Sequence, residues 1–154
     1  MKEVIRQIYT QAKLLGACPL FKGTEQTVED IVRLFESPQG IEFCMKNHFP
    51  NMATFRLFKP HGVEKYGIYI DAGTLTLKDP SRAVLIGRTS ATVFCSKTER
   101  HEIILLHGAK AIVNANKWAV ARVQSEQGCS VIKNTSDNSY LLNLFITSPV
   151  ISLG

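Results

Sequence analysis

The sequence predicts an α+β protein: an N-terminal helical cap of three to four short helices, followed by a short parallel β-solenoid (β-helix) of four to five coils. Three observations lead there. Up to about residue 58, apolar residues recur at three and four, the period of an amphipathic helix. Lys59-Pro-His-Gly62 then interrupts the pattern with proline and glycine. From Gly67 onward apolar residues alternate at two in short runs, and the runs come in ordered pairs that reopen roughly every 20 residues. Such a repeat marks a solenoid, because one coil cannot bury its apolar face alone. The domain reading is residues 1–60 as the helical cap and 67–154 as the solenoid, packed as one unit.

The first helix is expected from Lys2 to Leu15, where Val4, Ile5, Ile8, Tyr9, Ala12 and Leu15 draw one stripe and Gly16 stops it. Ala17 to Gly23 is a connector anchored by Leu20 and Phe21. Thr27-Val-Glu-Asp30 reads as a capping-box variant opening a helix to about Glu36. Ser37-Pro38 supplies a cap and a first-turn proline for a third helix ending near Asn47. Asn51 caps a fourth that holds Met52, Phe55 and Leu57 or Phe58.

Within the β region the paired runs begin with Gly67–Asp71 and Gly73–Leu77. The last clear run, Tyr140–Leu144, opens a fifth unit. Alternation puts Ile68, Ile70, Val84, Ile86, Ile103 and Leu105 inward on one wall. Leu75, Leu77, Ala91 and Val93, continued by Ala111, Val113, Cys129 and Val131, line the other. Tyr69, Leu85, Ile104 and Val120 then form a second, outward column, and a wall apolar on both faces is normally covered; the N-terminal helices are the expected cover. The register breaks at Ala119–Val123. Antiparallel hairpins are the rival arrangement, but they favour Asn-Gly or Asp-Gly turns, and neither dipeptide occurs. The uncharged, apolar end from Leu144 to Gly154 is either a final strand that plugs the last coil or a surface for self-association.

An apolar content of 45% fits a folded globule. The net charge of +5 is spread along the chain, without the basic stripe usual in dedicated nucleic-acid binders. The start has charges inside its apolar stretch and no small-residue cleavage site, unlike a signal peptide. No apolar run reaches the roughly 18 residues of a membrane span. Cys18, Cys44, Cys95 and Cys129 form no Cys-x-x-Cys pair and are expected as reduced, partly buried thiols. A cytoplasmic protein without membrane contact is the expectation.

Catalytic chemistry is thinly represented. His101 and His107 lack the four-residue spacing that aligns two ligands on a helix. In a strand they would stand on the same side but about 20 Å apart. Asp71, Asp79 and Glu102 are candidate glycosidase carboxylates, although turns favour Asp at the first two positions. No phosphate-binding or nucleophile-elbow motif occurs. The expectation is no enzyme, no cofactor and no metal ligand. Arg82, Arg88, Arg100, Lys110 and Lys117, near strand ends or turns, are the candidate binding residues.

Leu15-Gly-Ala-Cys-Pro-Leu-Phe-Lys-Gly23, Ser37-Pro-Gln-Gly-Ile-Glu-Phe-Cys44 and Asn47-His-Phe-Pro50 resemble segments of small proteins of phages and mobile elements in gut bacteria. Gly62-Val-Glu-Lys-Tyr-Gly-Ile-Tyr-Ile-Asp-Ala-Gly73 and Leu106-His-Gly-Ala-Lys-Ala-Ile112 extend the resemblance. Some such proteins are anti-CRISPR inhibitors of Cas9-type nucleases. The resemblance carries no site residue with it. It implies a non-enzymatic protein-binding module that inhibits a host defence nuclease, with a host protein or nucleoprotein complex as partner. A DNA mimic would be acidic; this basic chain would meet an acidic protein face, or nucleic acid within the complex. The alternative is a small carbohydrate-active or carbohydrate-binding β-helix protein.

Overall fold

A computed structural model describes residues 2–16 and 25–135, with the backbone of 140–145 and 150–152. The connector anchors Leu20 and Phe21, Cys18, and the side chains of the apolar tail lie outside the described residues. The chain divides into two compact units, Met1–Gly62 and Val63–Gly154.

The first unit holds α1 (Lys2–Leu14), α2 (Val28–Glu36), α3 (Pro38–Asn47) and α4 (Met52–Phe58). Ile5, Ile8 and Ala12 bury the α1 stripe, whereas Leu15, expected on it, lies past the helix end and is exposed. Local hydrogen bonds set the other helix starts. Thr27 and Asp30 exchange side-chain and backbone bonds in a full capping box. Ser37 Oγ accepts from Gly40 N at 3.0 Å, and Asn51 Oδ1 accepts from Thr54 N at 2.9 Å. Gly40 lies so near the end of α2 that a Cβ there would stand 2.1 Å from Leu34 O. The Phe35 and Phe55 rings meet edge to face at 5.8 Å. Phe58 is buried and Leu57 exposed, which resolves the α4 alternatives. No described helix is long and apolar enough to cross a membrane.

Two short 3₁₀ turns, Lys59–His61 and Val63–Tyr66, lead into the β region. Its strands are β1 (Ile68–Ile70), β2 (Gly73–Lys78), β3 (Arg82–Ile86), β4 (Thr89–Cys95) and β5 (Arg100–Leu106). They continue as β6 (Lys110–Ala115), β7 (Val120–Ser125), β8 (Ser130–Thr135), β9 (Tyr140–Phe145) and β10 (Val150–Ser152). Odd-numbered strands form one five-stranded sheet and even-numbered strands another, in the orders β1-β3-β5-β7-β9 and β10-β8-β6-β4-β2. Every pairing is parallel. This is the expected parallel solenoid, and the hairpin arrangement is excluded. The apolar tail does return as a last strand: β10 pairs with β8.

The even sheet follows expectation. Ala91, Val93, Ala111, Val113, Cys129 and Val131 belong to the buried core, with Leu75 and Leu77 packed against it. In the odd sheet, β1 and β3 are shifted by one residue from the expectation, while β5 follows it. Its core members are Ala83, Leu85, Ile103, Leu105, Ala121 and Val123, with Tyr69 packed against them. Ile103 and Leu105 therefore point inward as expected, and Ile104 and Val120 outward. Ile68, Ile70, Val84 and Ile86, expected inward, occupy the opposite face, and Tyr69 and Leu85 the inner one. Both sets are apolar, so alternation alone cannot choose between them, and a one-residue slip exchanges every side chain. The charged residues decide. Arg82, Glu102 and Arg122 are register partners and share parity with Val84 and Ile86, so that face must be the outer one. The expected break at Ala119–Val123 is absent: Ile103 pairs with Val123 and Leu105 with Ser125 in unbroken register.

Candidate functional site at the solenoid corner

Parallel pairing stacks equivalent turns on one another. The turns entering the odd sheet form one corner: Asp79–Ser81, Ser96–Glu99 and Asn116–Ala119. Its lowest layer is held by Asp79, whose Oδ1 accepts from Ser96 N at 2.7 Å and Lys97 N at 3.0 Å. Those backbone N–H groups, Ser96 first, hold its carboxyl below the usual carboxylate range. Asp79 itself is left-handed, φ 49°, a conformation Asp tolerates better than most residues. His101 is fully buried; its Nδ1 lies 2.8 Å from Pro80 O and its Nε2 3.3 Å from Lys97 O. His101, on β5, thereby contacts both turns through one ring. Thr98 Oγ1 donates to Lys117 O at 3.1 Å, and Asn116 N donates to Cys95 O at 3.0 Å.

Beside this corner, on the outer face of the odd sheet, three arginines surround one carboxylate. Arg82 Nη2 and Nε approach Glu102 Oε2 at 2.9 and 3.2 Å. Arg100 Nη2 and Arg122 Nη1 approach Oε1 at 3.5 and 3.6 Å. The step from Arg82 to Glu102 is 20 residues, and the same step reaches Arg122, so the cluster is a ladder across three adjacent strands. One carboxylate offsets one guanidinium. Two positive charges remain, and the Arg100 side chain is 60% exposed.

The five expected binding residues divide between opposite strand ends. Arg82 and Arg100 meet at Glu102, and Lys117 stands on the adjoining corner. Arg88 and Lys110 lie at the other end of the strands. Arg88 N donates to Asp71 Oδ1 at 2.8 Å, and Lys110 opens β6 beside Ser90 and Ser130. Lys97 and Arg122 were absent from the expected set. The constant 20-residue step from Arg82 through Glu102 was the signal for Arg122.

The candidate carboxylates are already engaged. Asp71 and Asp79 hold turns, and Glu102 holds arginines. Burial first, then the Asp79 charge, pushes the Cys95 thiol up to about 12; burial also pushes Cys129 up. Both are inert hydrophobes at neutral pH. Cys44, Cys95 and Cys129 are buried thiols outside any disulfide. Among the described residues, no group of three or more His, Cys, Asp or Glu could hold a metal ion. On the corner and the adjoining sheet edge, Lys97, Lys117 and the three arginines outnumber Asp79, Glu99 and Glu102. No protein-family model, curated protein or solved structure matches the chain.

Proposed function

We propose that this protein is a non-enzymatic binding module whose arginine ladder docks on a negatively charged surface of a host nucleoprotein complex, and that it inhibits a defence nuclease of the Cas9 type. The observation that carries the docking is the convergence of Arg82, Arg100 and Arg122 on Glu102. Guanidinium groups present planar forks matched to carboxylate and phosphate oxygens, and here the β-ladder sets their spacing before any partner arrives. Pre-organisation lowers the ordering cost of binding. The sequence resemblance to inhibitors carried by phages and mobile elements supports the choice of partner.

The test is complex formation with guide-loaded Cas9-type nucleases of gut bacteria, followed by a DNA-cleavage assay. The wild-type protein is expected to co-elute with a nuclease and suppress cleavage near equimolar ratio. Arg100→Glu with Arg122→Glu is expected to weaken binding at least tenfold, with the circular dichroism spectrum unchanged. Absence of binding to every guide-loaded nuclease, or equal binding by the charge-reversed variant, overturns the proposal.

A further inference from the structure

The turns Leu106-His-Gly-Ala109, Asn116-Lys-Trp-Ala119 and Glu126-Gln-Gly-Cys129 are built alike. In each, the fourth residue donates its N–H to the first residue's carbonyl: Ala109 N to Leu106 O at 3.3 Å, Ala119 N to Asn116 O at 3.0 Å, and Cys129 N to Glu126 O at 3.1 Å. The third position is left-handed each time, with φ 80° at Gly108, 68° at Trp118 and 90° at Gly128. Two turns place glycine there, the residue without a steric penalty. The middle one places tryptophan, after a Lys117 that is itself left-handed at φ 52°. A bulky residue in this conformation is uncommon and costs free energy.

Trp118 is 62% exposed and is the chain's single tryptophan. Lys97, Arg100 and Lys117 are exposed on the same corner and the strand that leaves it. The Thr98 hydroxyl braces the Lys117 carbonyl. Arg100 pairs in register with Val120, two residues beyond Trp118, so the arginine ladder and the indole share one end of the sheet.

We infer that Trp118 is a base-stacking platform, and that the polyanion met by this corner is single-stranded nucleic acid. Resting on the proposed function, this names the chemistry of the partner at that same surface. Lys97 and Lys117 stand on successive turns of the corner and Arg100 opens the strand leaving it; these three exposed cations outnumber the one exposed carboxylate among them, Glu99, which suits an extended phosphate chain. An exposed indole beside them gives a base a flat π face, the combination used by proteins that hold single strands. An acidic protein face would satisfy the cations without using the indole.

Titration with oligo-U and oligo-dT, followed through Trp118 fluorescence, tests the inference, with duplex DNA and poly-L-glutamate as comparisons. Saturable quenching by the single strands is expected, and the relative affinity of the two oligomers tells RNA from DNA. Fluorescein-labelled strands then compare wild type with Trp118→Gly by anisotropy. That variant restores the neighbouring turns' glycine, so its melting temperature should hold or rise while affinity falls about tenfold. Equal binding by wild type and Trp118→Gly, or no binding of single strands, overturns the inference. A response to poly-L-glutamate alone also overturns it and assigns an acidic protein partner. Retained quenching in Arg100→Glu with Arg122→Glu would instead leave the stacking platform standing and refute the arginine-ladder docking.

Discussion

Asp79 offers the sharpest test of whether the corner is built as described, because one carboxylate holds two adjacent turns. Asp79→Ala removes the acceptor for Ser96 N and Lys97 N. Hydrogen bonds to a charged group contribute about 1.5–3 kcal/mol each when well shielded. Asp79 is only partly buried, so water replaces some of this; about 1 kcal/mol per bond is a reasonable figure after screening. Alanine also tolerates the left-handed φ of 49° less well, which adds about 0.5–1 kcal/mol. The expected loss is about 2–3 kcal/mol, or about 4–12 °C in melting temperature for a chain of this size. Asp79→Asn keeps an acceptor and the backbone tolerance, so it should lose about 1 kcal/mol or less.

The pH dependence carries a definite sign. The folded carboxyl is held below its ordinary value of 3.8. Its contribution is therefore fully present above that value and is lost as pH falls through the folded pKa. Urea denaturation of the three proteins, read from the β-sheet circular dichroism signal, should show the widest gap near neutral pH. The gap between wild type and Asp79→Ala should narrow in acid. An alanine variant as stable as wild type at neutral pH, or a gap that does not change in acid, refutes the assigned role.

Two further outcomes follow from the same corner. His101→Ala leaves a cavity and removes the buried ring that contacts Pro80 O and Lys97 O; a loss of about 3 kcal/mol is expected, read from the urea midpoint. Cys95 and Cys129 should resist a disulfide reagent in the native protein and react once it unfolds. Because the Cys95 thiol is raised from 9.0 to about 12, unfolding should become easier as pH rises above 9, where the unfolded thiol ionises and the folded one does not.

The parts of the fold legible in the sequence are those set by neighbours along the chain. Thr27, Ser37 and Asn51 start their helices through bonds to residues three positions on, so their spacing alone reveals them. The alternate positions of the even sheet were equally plain, because polar residues such as Thr74, Thr76 and Ser90 stand between the apolar ones. The odd sheet was opaque for the opposite reason. In Ala83–Ile86 and Ile103–Leu106 every residue is apolar and buried, so period two leaves no trace and either face reads as the core.

The first apolar residue of each run is also a poor marker of the repeat. Val84, Ile104, Gln124 and Leu144 are successive register partners, and the polar Gln124 in that column does not look like part of an apolar repeat. Arg122, one of the two residues absent from the expected set, was hidden for the same reason. Glu102 is only partly buried and stands between arginines on both neighbouring strands; a charged column of this kind is stable only on the outer face. Counting from the charges rather than from the isoleucines would therefore have oriented the sheet and located Arg122 together. In a solenoid wall apolar on both sides, the rare charged position carries the directional information, and here it also marks the proposed docking surface.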